Sequence, residues 1–171
     1  MMSTVITETK VSPLSLTPEL QRELDEQNAR LESALPEEVI SWAAERFGSQ
    51  LTMATAFGPE GCLIISLLSK VAPATHVFNL DTGYQFKETL QLRDEMAERF
   101  GVRVELKRPE LTVEQYEAKH GGPLYKTRPD QCCFDRKIVV LRKAIEGKHA
   151  WISAIRRDQS PDRAEAPIVG W

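Results

Sequence analysis

The sequence predicts an α/β protein built on a mostly parallel, doubly wound sheet, with helices placed ahead of it. Three observations carry the prediction. From residue 51 onward, short apolar runs alternate with longer stretches of helical periodicity, the pattern of strand–crossover–strand units. Glycine or proline punctuates most of the switches between them. Apolar residues make up 42% and charged residues 27% of 171, the composition of a globular chain with a core of its own.

The elements follow in order. Residues 1–16 are rich in Ser and Thr with little periodicity, so a flexible lead-in is expected, leaving 17–171 as a single α/β domain. Thr17-Pro18-Glu19 reads as an N-cap followed by proline at the first helical position, opening a polar helix to about residue 35. Pro36-Glu37-Glu38 starts a second helix in which Val39, Ile40, Trp42, Ala43 and Phe47 keep helical spacing, and Gly48 ends it. Residues 51–55 form the first strand, followed by a Gly/Pro turn and a helix over 60–71. Residues 76–80 form the second strand, followed by a helix over 85–100 that Gly101 closes. A third strand is expected over 102–106, a short helix over 113–119, a strong helix over 130–146 and a fourth strand over 150–155.

Charge and composition exclude several classes. Twenty-two Lys and Arg against 25 Asp and Glu give a net charge of -3, the wrong sign for a nucleic-acid coat. Basic residues interleaved with aromatics are also missing, so no nucleic acid is expected as a partner. No apolar run approaches the roughly 20 residues that span a bilayer, so no membrane is expected either. The first residues lack the basic and apolar regions of a secretory signal, and three cysteines make no disulfide scaffold. A reducing, cytoplasmic compartment is expected. The cations are unevenly placed. Within 120–157 nine basic residues face three acidic ones, which points to a site for a small anion.

In doubly wound sheets, ligands sit beyond the carboxyl ends of the strands. Four segments fall there. Ala56-Phe57-Gly58-Pro59-Glu60-Gly61 joins the first strand to its helix; its glycines permit close backbone approach, and the helix N-terminus attracts phosphate. It is neither a Walker loop nor a dinucleotide fingerprint. Asp81-Thr82-Gly83 ends the second strand with groups able to bond a ribose or an adenine amino group, or to cap the next helix. In Cys132-Cys133-Phe134-Asp135-Arg136-Lys137, with Asp130 as N-cap, both thiols fall in the first helical turn, where thiolates are stabilised. Arg136 and Lys137 then follow one turn on. This arrangement reads as an anion site or a metal-cluster anchor, with buried apolar thiols as the plain alternative. Arg156-Arg157 suits bidentate recognition of phosphate or sulfate, or pairs on the surface with Asp158 and Asp162. Cys62 reads as core, and His76, His120 and His149 show no metal-ligand spacing.

Taken together, these segments resemble the assimilatory sulfonucleotide reductases, the adenylyl-sulfate and phosphoadenylyl-sulfate reductase family. The resemblance rests on Ala56–Gly61, Leu80-Asp81-Thr82-Gly83, Cys132–Lys137 and Ile155–Ser160, in that order, and runs from about residue 35 to the end. It implies a PP-loop, adenine nucleotide α-hydrolase-like fold. Residues 56–61 would be the phosphate loop, Asp81-Thr82-Gly83 would border the nucleotide, and Arg136, Lys137, Arg156 and Arg157 would hold the phosphosulfate. Tandem cysteine marks the branch that binds a 4Fe–4S cluster and prefers adenylyl sulfate to phosphoadenylyl sulfate, with Cys132 and Cys133 as two of four ligands. The implied reaction is thiol-dependent reduction of adenylyl sulfate to sulfite and AMP through an enzyme S-sulfocysteine, with thioredoxin or a similar thiol as reductant. A homo-oligomer is the expected assembly. The family's nucleophilic cysteine and second cysteine pair are expected beyond Trp171, so this chain alone is expected to bind nucleotide rather than turn it over.

Two other readings compete. One is an adenine-nucleotide-binding or subunit module without catalysis. The other is a PP-loop ATP pyrophosphatase, whose S-G-G-x-D-S loop Ala56-Phe57-Gly58 does not match.

Overall fold

The computed structural model describes residues 12–171. Most of the expected lead-in, residues 1–11, lies outside the described part. Ser12 approaches the sheet, its carbonyl accepting a hydrogen bond from His149 Nε2 at 2.9 Å.

Helices α1 (Pro18–Leu31) and α2 (Pro36–Phe47) precede the sheet. The alternating part then runs β1 (Leu51–Thr55), α3 (Pro59–Val71), β2 (His76–Leu80), α4 (Lys87–Phe100), β3 (Val104–Lys107) and α5 (Val113–His120). Next come α6 (Pro129–Cys133), a π-helical turn (Phe134–Ile138) and α7 (Val139–Ala144), continuous with one another, and last β4 (Ala150–Ile152). The sheet has the order β3-β2-β1-β4, and every neighbouring pair is parallel. The chain steps from β1 to β3 in one direction and then returns past β1 to β4. Right-handed crossovers therefore put α3 and α4 on one face and the α6–α7 helix on the other. The reversal falls between β1 and β4, the position where such sheets open a ligand crevice.

Coverage on both faces explains why β1 and β2 are buried at consecutive residues rather than at alternate ones. Met53, Ile65, Leu68, Val77 and Phe78 are fully enclosed, and Ile40, Leu67, Met96 and Val104 close the core around them. The buried polar groups are satisfied within the sheet. Asn79 Nδ2 donates to the Thr55 carbonyl at 2.8 Å, and the Thr52 hydroxyl donates to the His76 carbonyl at 3.0 Å.

The α/β class and the parallel sheet with helices ahead of it match the expectation, and the differences have local causes. α1 stops at Leu31, because Leu35 precedes a proline and takes an extended conformation as the N-cap of α2. α4 starts at Lys87, since the Gln85 side chain instead bonds Asn79 Oδ1 and the Leu80 carbonyl. β3 begins at Val104 rather than 102. β4 ends at Ile152 rather than 155, its pairing with β1 stopping at Met53. The helix expected over 130–146 begins at Pro129 with Arg128, not Asp130, as N-cap, and the π turn interrupts it.

Beyond β4 the chain folds back onto α1, where Asn28 Oδ1 accepts the N–H groups of Ile168 and Val169 at 2.8 and 3.1 Å. No helix among the described residues is long and apolar enough to cross a membrane.

Candidate functional site

The loop after β1 is held by short-range contacts. The buried Thr55 hydroxyl accepts the Phe57 N–H at 3.0 Å. Phe57 takes a left-handed conformation, φ 58, unusual for a bulky residue, and its ring is buried in the core. Gly58 and Pro59 then start α3, where the first-turn N–H groups have no acceptor in the helix and face the crevice side of the sheet. Gly61 passes so close to β1 that a Cβ there would lie 2.7 Å from Thr55 Oγ1.

Across the switch point, the loop after β4 brings its first arginine to this helix start. Arg156 Nη1 pairs with the Glu60 carboxylate, while Nε bonds Asp158 Oδ1 at 2.9 Å. Asp158 and then Glu60 raise the Arg156 pKa, so the guanidinium stays charged. Arg157 turns the other way. It grips both oxygens of Glu32, Nη2 to Oε2 at 2.9 Å, and donates from Nε to the Ala166 carbonyl at 2.8 Å. The structure thus brings Arg156 to the loop and commits Arg157 to the α1 side.

Asp81 is buried and caps no helix. Its Oδ1 accepts the Gly83 N–H at 3.0 Å and its Oδ2 accepts Arg108 Nε at 2.8 Å. Thr82 Oγ1 accepts the Tyr84 N–H at 3.3 Å, and α4 is capped from Phe86 instead. Gly83 has φ 80, and a Cβ on it would meet Val113 Cγ2 at 2.6 Å and Arg136 Nη2 at 3.1 Å. Only glycine fits this turn.

Arg136 ties that turn to the cysteine helix. Only 3% exposed, it donates from Nε to the Thr82 carbonyl at 2.7 Å and from Nη1 to the Leu111 and Thr112 carbonyls at 3.1 and 3.5 Å. Its guanidinium lies 5.4 Å from the Tyr84 ring centroid and 5.0 Å from that of Tyr116. Those phenols are anchored in turn, Tyr84 to Glu117 and Tyr116 to Asp135 at 2.8 Å. Burial and the Glu117 hydrogen bond push the Tyr84 pKa up to about 12; burial and Asp135 raise that of Tyr116. Lys137, the next residue, is exposed and makes no ion pair among the described residues.

The two thiols face different surroundings. Cys132 packs inward with Tyr116 and Leu124, and Cys133 is exposed. The expected thiolate stabilisation is not realised at Cys132. Burial raises its pKa, and the neighbouring Arg136 only partly opposes this. Cys62, as expected, packs against the core and donates to the Phe57 carbonyl at 3.5 Å. A 4Fe–4S cluster takes four thiolates. No group of three or more metal-ligating side chains occurs among the described residues, so they do not make a complete cluster site.

Sequence reasoning missed Arg108, Tyr84 and Tyr116. Arg108 carried a weak signal, a cation immediately after a strand. The tyrosines carried none, because only the tertiary structure stacks them on Arg136. Arg108 and Arg136 also line a cavity of about 370 Å³ beside β3, together with Lys107, Lys119 and Lys143.

Fold and site define a parallel α/β protein with a Gly/Pro loop and a helix start at its switch point and an arginine brought to that loop. Residues 50–171 match the phosphoadenosine phosphosulfate reductase domain. The chain belongs to that family. It is 45% identical over 132 residues to adenosine 5'-phosphosulfate reductase of Bacillus velezensis, covering 77% of this chain and 57% of the relative. Phosphoadenosine 5'-phosphosulfate reductase of Gloeobacter violaceus is 39% identical over 141 residues, covering 82% and 58%. The chain thus spans a little over half the length of these curated relatives. A crystal structure of phosphoadenylyl-sulfate reductase from Candida auris, a phosphate complex, superposes with a TM-score of 0.74 at 28% identity, covering 85% of this chain and 71% of that one.

Proposed function

We propose that this chain is the nucleotide-binding part of a cytoplasmic adenylyl-sulfate reductase in sulfate assimilation. The overall reaction is reduction of adenylyl sulfate to sulfite and AMP. A cysteine thiolate outside this chain attacks the sulfate sulfur, the bond from sulfur to the bridging oxygen breaks, and AMP leaves with that oxygen. One thiolate of a dithiol of the thioredoxin kind then attacks Sγ of the S-sulfocysteine, the bond from Sγ to the sulfonate sulfur breaks and sulfite leaves. The second thiol resolves the mixed disulfide, which returns the enzyme thiolate and leaves the reductant as a disulfide.

This chain's residues bind and orient. The first-turn amides of α3 and the 56–61 loop receive the phosphate, with Arg156 and the exposed Lys137 supplying the cations. Asp81-Thr82-Gly83 forms the wall beside the nucleoside. Arg136 acts through that wall by fixing the Thr82 carbonyl, and Arg157 secures the loop from the α1 side. Cys132 and Cys133 supply two of the thiolates of a 4Fe–4S cluster whose other ligands come from outside this chain. The tandem cysteines and the names of the bacterial relatives favour adenylyl sulfate over its 3'-phosphorylated form. A homo-oligomer is the proposed assembly.

The observation that carries this reading is the meeting of Arg156 with the head of α3 across the switch point. Calorimetry with AMP and with adenylyl sulfate tests it. Arg156→Ala is expected to weaken both by about 10- to 100-fold, the range of one charge-assisted contact. Unchanged affinity refutes the site.

A further inference from the structure

A carboxylate occupies a place suited to the ligand's anion. Glu60 stands in the first turn of α3, where the helix dipole favours negative charge. Its Oε1 meets the Arg156 guanidinium. Its Oε2 lies over Gly58, 3.7 Å from where a Cβ on that glycine would sit. One carboxylate therefore occupies the arginine fork beside the loop, the cation a phosphate would seek there. Arg156 is shared further with Asp158 on its Nε edge. The cluster of one cation and two carboxylates sums to a single negative charge, so an incoming anion finds no unpaired cation in it while Glu60 stays in place.

We propose that Glu60 is a built-in substitute for the ligand's phosphate, which any incoming anion must displace from Arg156. The inference rests on the nucleotide reading above and concerns how affinity at that site is set. A singly charged anion gains little over the carboxylate it replaces. A dianionic phosphate ester or phosphosulfate brings the extra charge that makes the exchange favourable, and Glu60 swings out to solvent. Glu60 thus selects for doubly charged ligands at the cost of absolute affinity.

The test is a double-mutant cycle by calorimetry on the 171-residue chain, with AMP as probe at low salt, using wild type, Glu60→Gln, Arg156→Ala and the double variant. Thermal unfolding of each variant checks the fold. Glu60→Gln is nearly isosteric and is expected to tighten AMP about two- to fivefold, the range of a partly exposed ion pair. The gain is expected to shrink in high salt and to vanish when Arg156 is absent. Equal or weaker binding by Glu60→Gln overturns the proposal, since Glu60 would then be inert or would merely position Arg156. A gain that persists without Arg156 also overturns it, because the effect would be one of general charge. Failure of AMP to bind to any of the four proteins refutes the nucleotide reading and this inference with it.

Discussion

Replacing Gly61 with alanine puts a methyl group in place of a hydrogen, and the contacts around it set the cost. The new Cβ would lie 2.7 Å from Thr55 Oγ1 and 3.8 Å from Thr55 Cβ. Thr55 is buried at the end of β1 and cannot yield toward solvent. Its hydroxyl must rotate away, and it then releases the Phe57 N–H that it holds at 3.0 Å. A buried amide without a partner costs about 1–3 kcal/mol. Alanine returns roughly 0.5–1 kcal/mol through its better helix propensity. The net expectation is a loss of about 1–2 kcal/mol, or a fall in Tm of roughly 2–8 °C for a chain of this size. Phe57 holds an unfavourable φ only because this contact supports it, so the loop also loosens and AMP binding weakens about tenfold. Denaturant unfolding and calorimetry measure the two effects. Gly58→Ala is the control. Its Cβ meets nothing closer than 3.7 Å and its φ is -66, so stability should stay within about 0.5 kcal/mol of wild type. A Gly61→Ala protein as stable as wild type, with full affinity, would refute the account of the loop.

Arg136→Met leaves the Thr82, Leu111 and Thr112 carbonyls without their donor and is expected to cost about 3–5 kcal/mol in chemical unfolding. Arg136→Lys should recover only part of this, because an ammonium lacks the planar fork; full recovery by lysine would contradict the geometry. Stability should fall as pH rises above about 9. The Cys62 and Cys132 thiols and the Tyr84 and Tyr116 phenols have raised pKa values when folded, so the unfolded chain releases their protons first and is favoured in alkali. Cys132→Ser should flatten the first part of that decline in a Tm-versus-pH series, and an unchanged profile would count against the burial of this thiol. Iodoacetamide followed by peptide mass mapping should label exposed Cys133 at least tenfold faster than Cys132 near pH 8, whereas equal rates would place both thiols at the surface.

Much of the fold was legible because its causes are local. Apolar runs such as Leu51–Thr55 and His76–Leu80, and caps such as Thr17 with Pro18, act within a few residues, and the strands and helices they announce are present. Proximity at the site was partly legible too. A parallel sheet sends all its strand ends to one rim, so Glu60 and Arg156 had to be neighbours of some kind. The fate of individual side chains was not legible. Arg136 and Lys137 are adjacent and equally basic in the sequence, yet one is enclosed between two tyrosines and the other is open to solvent. Arg156 and Arg157 differ in the same way, because Glu32, 125 residues distant from Arg157, claims only the second. Partners this remote leave no trace in spacing or composition. Nor did residues 134–138 announce a wider helical turn.

That wider turn fixes the phase of the whole cysteine segment. A helical residue advances about 100° around the axis, and a π turn inserts one residue beyond the ordinary pitch. The wider turn absorbs that extra residue, so deleting one residue from this stretch would return it to ordinary pitch with the flanking segments in nearly their present phase. The same residue count wound at ordinary pitch would instead swing everything upstream by about 100°, take Cys132 out of its slot against Tyr116, and turn the pair of sulfurs over a different part of the molecule. The direction in which the sulfurs face therefore depends on 134–138 keeping its wide turn.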